Sequence, residues 1–167
     1  SKTLTNNTII QNTSGFPVTF DGGNATRFFF TFTNISLNIS NVTLQNGRGS
    51  PGAILISTGS TLTVNNVIFQ NNVSTSTAGV IRTNSGVGVP AVINVSNSQF
   101  IGNHAATLGG AAYINITGTY TFTNNTFSNN TAGNPLPNNG QAIFNLSGST
   151  VTLTNNTFTN NTCSYSS

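Results

Sequence analysis

Six times along the chain a short segment of alternating apolar residues ends in an aliphatic or aromatic anchor that is preceded, three positions earlier, by asparagine. The anchors are Ile10, Leu44, Phe69, Phe100, Phe127 and Phe158, and the paired asparagines are Asn7, Asn41, Asn66, Asn97, Asn124 and Asn155. Asparagine returns three residues after the last four anchors, at Asn72, Asn103, Asn130 and Asn161. Successive anchors lie 34, 25, 31, 27 and 31 residues apart. Self-similarity near thirty residues identifies a repeat architecture, in which each unit buries its apolar face by stacking on the next.

The alternation inside each unit decides which repeat it is. Leu62 and Val64, Ile93 and Val95, and Val151 and Leu153 recur at period two, the period of a strand with one buried face. No window sustains helical spacing over ten residues free of β-branched residues or glycine. A second strand-like piece, most often after glycine, lies between successive anchors, at 53–56, 80–82, 111–116 and 142–146. Two or three short strands per thirty residues, joined by Gly or Asn turns, make one rung of a parallel β-helix whose rungs stack about 4.8 Å apart. The expectation is an all-β chain, a single domain over 1–167 of about six rungs, roughly 25–30 Å long. The longest interval between anchors predicts a loop insertion at 15–33, where Arg27 stands among Phe28, Phe29, Phe30 and Phe32.

Composition agrees with strands and excludes most chemistry. Asn, Thr and Ser supply 75 of the 167 residues, whereas Lys2, Asp21, Arg27, Arg48 and Arg82 are the whole charged inventory. Disordered chains are poor in β-branched and aromatic residues; this one carries 12 Phe with Thr, Val and Ile throughout. A net charge of +3 from scattered cations reflects missing acids, and too few phosphates could be neutralised to hold nucleic acid. No apolar run is long enough for a membrane span. Polysaccharide cleavage needs paired carboxylates or a strong base, and Asp21 is the single side-chain carboxylate, best read as the start of an Asp21-Gly22-Gly23 turn. His104 reads as a loop residue after the Asn103 corner, and Cys163 as a terminal thiol. Neither a metal set nor a cofactor motif is present, so no enzyme activity is expected.

The asparagines three before each anchor have a physical meaning in such a coil. A corner between strands often requires a left-handed residue, which Asn tolerates better than other non-glycine residues, and identical amides stacked on successive rungs can bond along the column. The anchors would stack beside them as core.

These motifs resemble those of the passenger repeats of chlamydial polymorphic outer-membrane proteins, right-handed parallel β-helix surface proteins marked by GGA-[ILV] and F-x-x-N. Phe69-Gln70-Asn71-Asn72, Phe100-Ile101-Gly102-Asn103, Phe127-Ser128-Asn129-Asn130 and Phe158-Thr159-Asn160-Asn161 match F-x-x-N. Gly109-Gly110-Ala111-Ala112 nearly matches the other, with Pro51-Gly52-Ala53-Ile54, Ala78-Gly79-Val80-Ile81 and Gly140-Gln141-Ala142-Ile143 as weaker versions. The resemblance covers 35–162 and implies a right-handed coil, the hand that parallel crossovers generally take, in an extracellular or cell-surface protein, often adhesive.

Fourteen N-x-[ST] sequons occur, at Asn6, Asn12, Asn24, Asn34, Asn38, Asn41, Asn72, Asn94, Asn115, Asn124, Asn129, Asn145, Asn155 and Asn160. Asn corners followed by Thr strands generate such triplets automatically, and Asn41, Asn124 and Asn155, as ladder residues, are expected to be too buried to carry N-glycans, whereas Asn12, Asn24, Asn34, Asn38, Asn72, Asn94, Asn115, Asn129, Asn145 and Asn160 are the candidate sites for covalent N-glycans. The near absence of surface charge removes the usual barrier to association. The phrase Lys2-Thr-Leu-Thr-Asn-Asn-Thr8 returns as Val151-Thr-Leu-Thr-Asn-Asn-Thr157, so an end resembles a beginning and could stack on one. Residues 1–167 as a segment of a longer solenoid is the other reading of the same ends. The expected function is a non-catalytic structural subunit that self-associates head to tail into a filament or surface layer. The alternative is an adhesin-like passenger domain that meets a host receptor or glycan through loops such as 74–77 and 134–140.

Overall fold

The structure is a computed structural model, and it describes residues 1–84, 88–133, 140–146 and 148–163. The described residues hold β-strands and no helix. The strands form four wholly parallel sheets, and the chain visits the sheets in the same order on each turn, giving a β-solenoid of about six coils.

Sheet I runs through Lys2–Leu4, Phe29–Thr31, Ile54–Ile56, Ile81–Thr83, Ala112–Ile114 and Ile143–Asn145. Sheet II runs through Thr8–Gln11, Ser36–Ser40, Thr61–Asn65, Ala91–Ser96, Gly118–Thr123 and Thr150–Thr154. Sheet III holds Thr19–Asp21, Thr43–Gln45, Ile68–Gln70, Gln99–Ile101, Thr126–Ser128 and Thr157–Thr159. Sheet IV is the five two-residue strands Arg48–Gly49, Val73–Ser74, His104–Ala105, Thr131–Ala132 and Thr162–Cys163.

Parallel registry turns the sequence repeats into columns. Leu37, Leu62, Ile93 and Tyr120 align in sheet II, with Ile39, Val64, Val95 and Phe122 two positions on, and all are buried. Leu44, Phe69, Phe100 and Phe127 form the inner column of sheet III, also buried. Stacking is close to face to face: the ring centroids of Phe100 and Phe127 lie 4.6 Å apart with planes 10° off parallel, and those of Phe127 and Phe158 are 4.8 Å apart. Identical flat side chains can repeat at the strand spacing without leaving voids, so one residue type fills successive layers.

Two columns of left-handed residues turn the corners. Between sheets II and III stand Asn41, Asn66, Asn97, Asn124 and Asn155, with φ from 51° to 58°. Between sheets III and IV stand Asn46, Asn71, Gly102, Asn129 and Asn160. The glycines at the second position of three of these motifs, Gly52, Gly79 and Gly110, stack where a Cβ would collide with the carbonyl oxygen of the next coil. Only glycine lets the backbones approach that closely.

Registry corrects the first rung. Phe20 pairs with Leu44, whereas Ile10 pairs with Ile39 in sheet II, so Phe20 and not Ile10 begins the anchor column. Asn7 is therefore not a corner residue: it is exposed, and its Oδ1 accepts from the Ser36 N–H at 2.8 Å. The physical reason is a longer connection. Residues 12–18 join sheets II and III in the first coil where Asn41 and Val42 suffice in the second, and counting back from Ile10 lands one strand early. The expected insertion at 15–33 shrinks accordingly, because Thr19–Asp21 and Phe29–Thr31 are regular strands of sheets III and I. Phe29 points into the core and Phe30 packs outside on Phe32, their centroids 5.9 Å apart.

Candidate functional site

The inner amides come first, because they set what the surface can offer. Asn72, Asn103 and Asn130, three residues beyond their Phe anchors, are fully buried. Asn72 Nδ2 donates to Asn103 Oδ1 at 3.0 Å, and Asn103 Nδ2 donates to Asn130 Oδ1 at 2.9 Å. Asn130 Nδ2 continues to Asn161 Oδ1 at 2.9 Å. Each amide also donates to the carbonyl of the Phe or Leu anchor one coil back, and each Oδ1 accepts the backbone N–H of its neighbour. This satisfies every donor of the buried amide, as a polar group in a dry column must be. A second, shorter ladder joins Asn125 to Asn156.

The ladder proposed three residues before the anchors is weaker. Asn66 Nδ2 donates to Asn41 Oδ1 at 3.0 Å and Asn124 Nδ2 reaches Asn97 Oδ1 at 3.4 Å, but Asn97 Nδ2 bonds Asn65. Asn66, Asn97, Asn124 and Asn155 are exposed and Asn41 is half-buried, because a left-handed corner turns its side chain outward. The expected burial of sequon residues is thus reversed at Asn124 and Asn155. Asn72 is corrected in the other direction: it lies wholly inside the coil. Of the remaining sequon residues, Asn6, Asn24, Asn34, Asn94, Asn129, Asn145 and Asn160 are exposed, and Asn12, Asn38 and Asn115 are half-buried. The signal for the Asn72–Asn161 ladder was present in F-x-x-N, whose last residue is the laddered amide, whereas Asn125 and Asn156 stand two residues before their Phe anchors and outside that motif.

The titratable residues do not converge. Asp21 closes a turn, its Oδ1 accepting from the Gly23 N–H at 2.8 Å; that bond, then Gln45 and Asn46, hold its carboxyl below the usual carboxylate range. His104 lies in a strand of sheet IV and not in a loop, with Nδ1 2.8 Å from Thr131 Oγ1. Cys163 is half-buried and pairs with Ala132 at the end of the same sheet. Among the described residues no three His, Cys, Asp or Glu gather to hold a metal, and no helix is long and apolar enough to cross a membrane. Ser74 Oγ closes the 74–77 loop by donating to Thr77 O at 2.8 Å, while residues 134–139 lie outside the described residues.

The ends of the column are its least satisfied surfaces. At the last coil Leu153 is 49 % exposed and Phe158 46 % exposed, although both stand at inward positions of their sheets. Ile143 and Val151 are only partly covered beside them, and residues 140–143 with Leu153 and Phe158 line a shallow depression. At the first coil Phe20 is 38 % exposed and Ile10 half-buried. Among the described residues, the terminal strands of sheets I, II and III have a bonded neighbour on one side only. Two columns therefore run from apolar residue to apolar residue, Phe20 to Phe158 and Ile10 to Leu153. The long connection 12–18 lies along the flank, beside Asn41, Thr43 and Asn66 of the second and third coils, and its residues 12–14 and 18 also border Ile10 and Phe20 of the first coil. The repeated phrase itself plays no part in matching the ends, because Lys2–Leu4 belongs to sheet I and Thr150–Thr154 to sheet II.

Comparison with known protein families, curated proteins and solved structures finds no match to this chain.

Proposed function

We propose that this chain is a non-catalytic extracellular structural subunit whose coils stack head to tail into a filament or surface layer. What supports this reading is that Phe20 and Phe158 belong to one stacked column and are the members of it left exposed among the described residues, so each presents a surface on which a further coil fits. A second copy placed in phase sets its Phe20 on Phe158 and its Ile10 on Leu153, and its first strands continue sheets I, II and III. Covering each of these side chains contributes roughly 1–2 kcal/mol, and the newly paired strand edges add backbone bonds. The contact is heterologous and does not close on itself, so repetition yields a fibre. Exposed sequons around the column fit a secreted, N-glycosylated surface. The F-x-x-N recurrence, now with a role for its Asn, supports a kinship with chlamydial passenger repeats at the level of coil construction.

Negative-stain electron microscopy of the native material, with intact mass on the same sample, tests this reading. Filaments with an axial repeat near 30 Å, about six strand spacings, are expected, and Phe158→Lys should disperse them. Monodisperse particles at all concentrations would overturn stacking and favour the second reading, an adhesin-like passenger that presents its flanks to a host receptor or glycan.

A further inference from the structure

We infer that the flank between the 12–18 connection and the adjoining corner of the second and third coils is a binding groove for a neutral saccharide. It is independent of end-to-end stacking, since it lies on the side of the column. The groove is open to solvent and has a volume of about 530 Å³. Phe16 and Pro17 form one wall, and Asn41, Thr43, Asn66 and Ile68 the other.

The wall that carries Phe16 is held rigidly. Asn12 Oδ1 accepts from the Ser14 N–H at 2.9 Å and from its hydroxyl at 2.7 Å, while Asn12 Nδ2 donates to Phe16 O at 2.6 Å. The Phe16 N–H returns to Ser14 Oγ at 3.2 Å. A backbone tied at three points then leaves Phe16 76 % exposed. A large apolar ring held out to water on a preorganised loop is available for contact without further ordering, and such loops are where solenoids carry their binding groups. Asn12 is thereby a loop-organising residue, with its amide nitrogen engaged.

The opposite wall offers matching polar groups. Asn41 is partly engaged, with Nδ2 donating to Asn12 O and Oδ1 accepting from Asn66. Asn66 keeps Oδ1 and one N–H for a ligand, and the Thr43 hydroxyl makes no bond among the described residues. No charged residue lines the groove. An aromatic face opposite uncharged amide and hydroxyl groups suits a sugar ring, which has an apolar C–H face and hydroxyls at its edge, and offers no cation to neutralise a phosphate or a carboxylate.

The test is saturation-transfer NMR on the whole chain, produced without glycans, against hexasaccharides of glucose, mannose and N-acetylglucosamine and an anionic hexagalacturonate. At least one neutral hexasaccharide should receive saturation, with affinity falling about ten-fold in Phe16→Ala, the size of one aromatic contact. Asn66→Gly, which preserves the left-handed corner, should weaken the same sugar while circular dichroism and thermal unfolding stay close to wild type. No transfer to any neutral sugar, equal binding by Phe16→Ala, or binding of the anionic sugar alone would overturn the inference. The same samples viewed by electron microscopy report stacking separately, so the two proposals fail independently.

Discussion

Asn103 Nδ2 donates to Asn130 Oδ1 at 2.9 Å in a part of the coil where neither residue is reached by solvent. Asn103 simultaneously donates to Phe69 O and accepts from both the backbone and the side-chain amide of Asn72. One side chain therefore keeps polar groups of three successive coils satisfied. The parallel registry that stacks the phenylalanines also stacks these amides, and the two columns stand or fall together.

Replacing Asn103 by Ala leaves buried groups on both neighbouring coils without partners. Each orphaned group costs about 1–3 kcal/mol, so Asn103→Ala should lose roughly 3 kcal/mol or more. Urea unfolding against wild type measures it, with the exposed Asn94→Ala as the control that should change little.

The corner asparagines make a different prediction, one about backbone. Asn97 has φ 51° and an exposed side chain. Asn97→Gly should stay within several tenths of a kcal/mol of wild type, whereas Asn97→Val, β-branched in the left-handed region, should cost roughly 1–2 kcal/mol. Thermal unfolding of the pair separates conformational from hydrogen-bond effects, because both variants delete the same amide.

Expression in a glycosylating host gives a positional outcome. Glycopeptide mapping should find Asn72 unmodified in the folded protein, since its nitrogen is buried and donates to Leu44 O and Asn103 Oδ1. Asn124 and Asn155 should be accessible despite belonging to the corner column. Occupancy at Asn72 with none at the exposed sites would contradict the coil.

Alkaline pH should destabilise the chain through Tyr120. Its hydroxyl donates to Ile116 O at 2.6 Å inside the coil, and burial pushes its pKa up to about 12. The unfolded chain loses that proton near pH 10 and the folded chain near 12, so stability is intact below 10 and falls as pH rises between the two. The loss is on the order of 2 kcal/mol. Denaturant midpoints measured from pH 9 to 12 should show this slope, and Tyr120→Phe should flatten it.

Much of the architecture was legible without coordinates. The period-two alternation at Leu62 and Val64, or Val151 and Leu153, names strands, and the thirty-residue recurrence of Phe and Asn names a solenoid, because stacked coils put chemically identical residues in one column. The candidate ends were legible only in outline: the sequence repeats the phrase at 2–8 and 151–157, but those segments lie in different sheets.

Sequence by itself determined the fold class, the residues of the Phe column from Leu44 onward, and the poverty of charged chemistry, since all three depend on residue type and local spacing. Tertiary structure alone decided which asparagine of each Phe-flanking pair is buried, that Phe20 replaces Ile10 at the head of the column, and that Phe16 stands over a groove. The physical reason is the connection 12–18, which shifts the count of residues per coil. Registry in a parallel solenoid is set by hydrogen bonds to the coils above and below, and those partners are about thirty residues away along the chain.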